Sequence, residues 1–522
     1  MNDAVTRIVI VGGGTAGWLA ACLIAARADR TAAAPVTVTL VESPDVPTIG
    51  VGEGTWPTMR RTLARIGIGE AEFLTGCDAA FKQGSRFDGW RTGMPGDRYY
   101  HPFTPPPSGE ARSIVDPWAR GGEGVSFAEA TGVQAQICAA DLAPRQRTMP
   151  DYAGALNYAY HLDAGKLAAL LSRHAVGRLG VRHFRDHVVG IAVHDDGDIA
   201  GVRTRDHGKI DGDLFLDCSG RAALLIGDHL GVPVIDRGGE LFNDAAIAIQ
   251  LPVAPDSVIA SQTNATAHAS GWIWDIGLPT RRGIGCVFSS AHSSDEAAMA
   301  TLAAYVARTT SGTDPAPDIT TLSPRRLSFR SHHRARFWER NCLAIGQSAG
   351  FIEPLEASAI VMIELALDAL LDSFPTTRAA MPALARRYDR LFRYRWDRIV
   401  DFLKLHYVLS QRDEPYWRDH RDPATLSPRL ADLLDIWRHH PPSALDLPAL
   451  DEVFPAASYQ YVLYGMGFPV PPPSPIASAG TTRAAAALRD LDQRRRALAA
   501  SLPTNRAYLD AIRALTQPVI PS

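Results

Sequence analysis

Two periods of apolar spacing organise the chain and predict an α/β protein. In residues 7–11, RIVIV, the four that follow Arg7 form the unbroken apolar run that a strand buried on both faces requires. The run stops at Gly12, Gly14 and Gly17, and WLAACLIAARA then reads as a helix. A second strand, VTVTLVE, ends at Glu42. Residues 341–360, NCLAIGQSAGFIEPLEASAI, read as a strand to Gly346, a small-residue turn, and a helix from about Ser358. Toward the C-terminus RRYDRLFRYRWDRIVDFLKLHYVLS and RAAAALRDLDQRRRALAASLP carry helical spacing, with FPVPPPSP as a stiff connector between them. The pattern predicts a core over 1–375 on a central parallel sheet, with a β-rich insertion over about 236–330 and a long excursion over 90–150. A helical lobe over 376–522 follows. HPFTPPPSGEARS, which begins at His101, reads as a loop from its prolines.

One stretch of the insertion stands out. GWIWDIGLP, 271–279, sets Trp272 and Trp274 two positions apart, so in a strand both indoles leave the same face. Taken alone, such a pair reads as core packing against a neighbouring layer or as a built wall.

Composition narrows the choice of partners. The 522 residues exceed the usual size of one compact domain and can bury a large cofactor. A formal net charge of −3 leaves no electrostatic footprint for nucleic acid or an anionic membrane. With no charged-then-apolar leader and no apolar run of transmembrane length, the expected location is the cytoplasm. The six cysteines are scattered without a C-x-x-C pair, so neither a disulfide framework nor a metal site is expected. Of 53 basic residues only Lys82, Lys166, Lys209 and Lys404 are lysines, leaving 49 arginines. A chain that uses arginine for nearly every cation keeps lysine where a compact amine able to lose its proton is needed. Context separates the four: Lys166 sits on a helix, Lys209 in a polar turn, Lys404 on a late amphipathic helix, and Lys82 after an apolar stretch in AAFKQGSRFDGW.

The glycines supply the first chemistry. A strand, a G-x-G-x-x-G turn and a helix put backbone amides and a helix N-terminus where a pyrophosphate can sit, and Glu42 follows at the place of a ribose-binding acid. IGVGEGTWP over 49–57 and GDLFLDCSGRAALL over 212–225 resemble further flavin signatures of the FAD-dependent monooxygenases, as does the stretch around Gly346. The cofactor expected is therefore FAD, held by Gly12, Gly14, Thr15, Ala16, Gly17, Glu42, Gly50, Gly346 and Gln347. Gln347 stands where that superfamily usually has an acid.

Together these residues resemble the flavin-dependent tryptophan halogenases over most of the chain. The family's W-x-W-x-I-P stretch reads here Trp272, Ile273, Trp274, Asp275, Ile276, Gly277, with glycine for the proline and Pro279 two places on. The resemblance implies an FAD-binding Rossmann-like domain of the flavin monooxygenase type, a β-rich insertion and a helical C-terminal lobe. It implies that Trp272 and Trp274 form a barrier keeping organic substrates from the flavin. Lys82 would carry the reactive halogen, and Glu356, matching the family's P-L-E-S-T glutamate, would take the ring proton. Backbone amides at Ser358 and Ala359 match the halide position, where the usual pair is threonine and glycine. His101 and Phe103 resemble the segment that sandwiches an indole ring, and Phe454, Tyr459 and Tyr461 are candidates for the pocket's far wall.

The reaction so implied takes reduced FAD from a separate NAD(P)H-dependent reductase, uses dioxygen and halide to make hypohalous acid, and passes the halogen to Lys82. The acid and aromatic cluster that grips free tryptophan in several relatives is not identified here, so indole or an indole-bearing compound is the expected substrate and bromide the expected halide. A homodimer is possible in this scheme. Two other functions use the same motifs: an FAD-dependent aromatic hydroxylase and a non-catalytic flavin-binding protein.

Overall fold

The computed structural model describes residues 3–516 apart from 30, 32–34, 47–51, 108–110, 122–123, 311–316, 450–451, 473–485 and 487. Contacts divide the chain into two compact units, each assembled from three segments. The first comprises 1–78, 162–237 and 330–396, and the second 79–161, 238–329 and 397–522. The boundary expected at 375/376 thus falls inside the first unit, and the region of the expected insertion contributes to the second. Contact does not follow linear order because each unit's sheets draw strands from segments far apart in sequence.

In the first unit a six-stranded sheet runs in the order Trp338–Glu339, Cys342–Ala344, Leu214–Asp217, Arg7–Val11, Thr37–Glu42, Arg182–Arg185. All neighbours are parallel except the outermost pair, Trp338–Glu339 with Cys342–Ala344. The central strand is RIVIV, buried after its first residue, as a strand with partners on both sides and helices over its faces must be. The helix Thr15–Arg27 is buried over most of its length, which is why it shows little amphipathic contrast. It packs against the helices Ala164–Gly177 and Ser358–Asp372.

The second unit is built on a seven-stranded sheet in the order Arg325–Ser328, Ala245–Pro252, Arg281–Phe288, Gly271–Gly277, Thr263–His268, Gly84–Asp88, Arg98–Pro102. It is antiparallel except between Thr263–His268 and Gly84–Asp88. One face packs on the helix Asp295–Thr309, where Ile247, Ile249, Ile273 and Cys286 meet Leu302, Tyr305 and Val306. Ser294 caps that helix by accepting from the Ala297 amide, and Asp295 and Glu296 complement its dipole. The stretch from His101, expected as a loop, begins instead as the end of a strand: His101 and Pro102 lie in Arg98–Pro102. Proline is tolerated there because this is the sheet's edge strand and Pro102 its last residue. Later in the stretch a helix runs from Ala111 to Gly121.

Candidate active site

The first unit encloses a cavity of about 430 Å3 at the ends of its parallel strands. Gly12, at φ +115°, lies against Cys218 so tightly that any β-carbon would overlap the Cys218 carbonyl. At Gly17 a β-carbon would overlap the Gly12 carbonyl, so the glycine lets the helix close on the turn before it. Gly14 has nothing within 4 Å of where a β-carbon would stand. The Thr15–Arg27 helix starts there without a side-chain cap, leaving its first amides and the positive end of its dipole at the cavity wall beside Thr15 and Ala16. Gly346, at φ +74°, approaches Ala16, which brings the first and last glycine motifs together, and Gln347 lines the same space. Glu42 lines it too, with Oε1 2.8 Å from His183 Nε2. Gly50 lies outside the described residues. A glycine cradle, an uncapped helix N-terminus and apolar walls from Val11, Ala344 and Trp396 suit a dinucleotide with a flat ring system.

At one side of this cavity the helix Ser358–Asp372 begins, also without a side-chain cap. Ala357 before it holds φ +54°, a left-handed conformation uncommon outside glycine. Ser358 and Ala359 line the cavity. Ser358 is buried, and its Oγ finds no hydrogen-bond partner among the described residues. Glu356 is 4% exposed, and its carbonyl accepts from Trp56 Nε1 at 2.8 Å.

In the second unit Lys82 ends the strand Ala80–Lys82 and is 1% exposed. Its Nζ lies 5.3 Å from the centroid of the Phe103 ring, so the structure brings these two predicted residues together. His161, opposite Ala80 on the pairing strand, bonds Thr263 Oγ1 at 2.8 Å. Burial, and then the charge of Lys82, hold its imidazole well below the usual histidine range and keep it neutral.

The remaining aromatic candidates gather around His101 and Phe402. His101 bonds Ser458 Oγ at 2.9 Å and lies between Phe402 (5.7 Å) and Tyr461 (6.2 Å). Phe454 stacks on Phe402 at 3.7 Å, and Tyr459 meets Phe402 edge-on at 5.0 Å with Trp437 behind it. Tyr461 instead reaches Thr104, donating to its carbonyl at 3.0 Å. Tyr459 and Tyr461 part because two positions along the helix Ala456–Gly465 are separated by about 200° around its axis.

Trp272 and Trp274 leave one face of the strand Gly271–Gly277, as alternation predicts, with ring centroids 6.3 Å apart and Trp90 6.2 Å from Trp272. On the other face Ile273 joins the core, and Asp275 pairs with Arg282 and accepts from Tyr305 at 2.9 Å. The Trp274 indole N–H is buried and has no acceptor among the described residues.

The family model for tryptophan halogenase matches residues 7–481. The chain belongs to the tryptophan halogenase family. A tryptophan halogenase of Shewanella frigidimarina, in its crystal structure, is 45% identical, covers 99% of each chain and superposes with a TM-score of 0.93. Tryptophan 6-halogenase SttH of Streptomyces toxytricini is 33% identical over 97% of this chain and 98% of its own. BrvH, a flavin-dependent halogenase of Brevundimonas sp., is 30% identical over 98% and 100% with a TM-score of 0.83. The chain is accordingly a flavin-dependent halogenase, with FAD and halide as its requirements.

Two features of the halogenase escape sequence reasoning. Glu53 lines the cavity, and burial, with the charge of Asp163 adding to it, pushes its carboxyl up to about 7. An acid between the glycines of GVGEGTWP was the available signal. His187 lines the cavity as well, 3.0 Å from Asp45, and sits in a turn that no motif marks. That turn is held by Asp186. Burial opposes its charge, but hydrogen bonds from His207 and the amides of Asp206 and His187 win and hold its carboxyl well below the usual range. No cluster of His, Cys, Asp or Glu among the described residues could hold a metal, all six cysteines are free and buried, and no described helix is long and apolar enough to cross a membrane.

Proposed function

We propose that this halogenase acts on indole or a larger indole-bearing compound in preference to free tryptophan, and uses bromide ahead of chloride. Bound reduced FAD supplies two electrons to dioxygen, and with halide and a proton the outcome is hypohalous acid, water and oxidised FAD. Ser358 and Ala359 offer amides at an uncapped helix N-terminus for the halide. Lys82 receives the hypohalous acid, either hydrogen-bonding it as ammonium or exchanging an N–H for an N–halogen bond with release of water. The electron-rich ring takes the halogen from it, and Glu356 accepts the ring proton as general base. Trp272 and Trp274 act as the barrier that keeps the organic substrate from the flavin. His101 and Phe103 flank the ring, with Phe454, Tyr459 and Tyr461 behind them.

The observation that carries this reading is the burial of Lys82 beside Phe103: a nearly inaccessible amine at the end of a strand, one of only four lysines among 53 basic residues. The substrate preference rests on those aromatics, since a pocket without an ion grip does not recover the cost of desolvating a zwitterion. Attack then falls on C3, the most nucleophilic carbon of indole. The halide preference rests on Ala359 in place of glycine and on bromide being easier to desolvate and oxidise. The enzyme works in the cytoplasm on reduced FAD from a separate NAD(P)H-dependent reductase, and a homodimer is compatible with this role. Mass spectrometry of a competition between equal bromide and chloride, with indole and tryptophan together, tests it. Brominated indole is expected to dominate; dominant chlorinated tryptophan would overturn both preferences, and an oxygenated product without halogen would indicate a hydroxylase.

A further inference from the structure

The strand that ends in Lys82 is short, three residues, and on its own would fix a side chain poorly. Two buried amides hold it. Asn505, the first residue of the helix Asn505–Thr516, is fully buried. Its Oδ1 accepts from the Phe81 amide at 3.4 Å, and its Nδ2 donates to the Phe81 carbonyl at 3.2 Å. One side chain thereby satisfies both backbone groups of Phe81, as a residue on a neighbouring strand would. Asn505 is itself anchored by its own amide, which donates to the Asp141 carbonyl at 2.8 Å. Tyr508, one turn on, meets the Phe81 ring edge-on at 5.0 Å.

On the other side of Lys82 stands Gln83, also fully buried. Its amide donates to the Ser261 carbonyl at 2.7 Å, its Nε2 donates to the Leu142 carbonyl at 2.7 Å, and its Oε1 accepts from Gln134 Nε2 at 3.2 Å. The Gln83 carbonyl accepts from the amide of Phe103 at 3.0 Å, so the same residue fixes the ring beside the lysine. Burying such amides is tolerated only when their hydrogen bonds are made, and together these bonds define one position for the backbone on both sides of Lys82.

We propose that Asn505 and Gln83 are positioning residues for Lys82, holding its amine where halogen is handed on, and that the C-terminal helix is thereby part of the halogenation machinery. The helix lies beyond residue 481, where the family match ends. The inference rests on the reading of Lys82 as the halogen-delivering amine.

The test compares Asn505→Ala, Gln83→Met and Lys82→Ala in the full-length enzyme with FAD, a reductase, NADH, bromide and indole. Brominated indole is measured in the presence of an excess of an enol trap such as monochlorodimedone, which captures released hypobromous acid before it brominates indole in solution and reports its amount. Circular dichroism and FAD binding report folding, and if Asn505→Ala does not fold, Gln83→Met carries the test. A misplaced lysine lowers ring bromination roughly ten- to a hundredfold while hypobromous acid is still formed and escapes to the trap. General destabilisation lowers both together. Parallel loss of product and trapped acid in folded variants, or unchanged product, overturns the inference while Lys82→Ala still abolishes bromination. Retained product in Lys82→Ala overturns the reading of Lys82 and this inference with it.

Discussion

The indole of Trp274 lies over Gly285 on the neighbouring strand, so close that any β-carbon at 285 would overlap the ring. A missing side chain on one strand thus creates the place for the largest side chain on the next. Gly285→Ala is expected to push the indole aside at a cost of about 1–3 kcal/mol. If the pair is the barrier proposed, this variant and Trp274→Phe keep FAD but consume more dioxygen per halogenated product. An oxygen electrode run beside product analysis checks this, and wild-type coupling in both variants would assign the pair to packing alone.

Glu364 gives a pH-dependent stability. Burial raises its carboxyl to about 7, against hydrogen bonds from Thr62 and from Thr58, the latter at 2.7 Å. The folded protein keeps this proton up to about pH 7, whereas the unfolded chain releases it near the ordinary value of 4.5. Between those values the native state binds more protons, so stability falls as pH rises, by about 3 kcal/mol at most for this group. Glu364→Gln, which never ionises, is expected to melt higher than wild type at pH 8, with the gain shrinking toward pH 5. The same difference in melting temperature at both pH values would contradict the assignment.

Glu53 predicts a pH dependence of cofactor binding. Below about pH 7 its carboxyl is neutral; above it a carboxylate shares the cavity with the cofactor's doubly charged pyrophosphate. The Kd for FAD is expected to rise by about tenfold between pH 6 and pH 8. Glu53→Gln removes most of that slope. Flavin fluorescence titrations measure it, and equal slopes in the two proteins would count against Glu53.

How far the sequence reveals this enzyme depends on whether a contact is local. RIVIV and the glycines after it are legible because strand, turn and helix are consecutive and their chemistry is in the backbone. Trp272 and Trp274 are legible as a same-face pair for the same reason. The sheet that carries them is not: Thr263–His268 pairs with Gly84–Asp88 across some 180 residues, and periodicity records no partner. Lys404 is a sharper case. Its helical spacing is real, within Met381–Val408, yet its amine is buried 2.9 Å from His420 Nδ1, on the short helix-and-turn segment that follows, and 5.0 Å from the centre of the ring of Phe242, which a distant segment brings in. Asn505 is invisible for a related reason, because nothing in an asparagine at a helix start announces that it completes a strand.

The central claim is that Lys82 carries halogen from the site where halide is oxidised to the aromatic ring. Lys82→Ala and Lys82→Arg, assayed with bromide and indole by product mass spectrometry alongside trapped hypobromous acid, test it most directly. With the enol trap in excess in the same reaction, so that free hypobromous acid does not reach indole, bromoindole is expected to vanish in both variants while FAD binding and hypobromous acid formation persist. Bromoindole at near wild-type yield from the alanine variant, with its retention and isomer pattern unchanged, would contradict it.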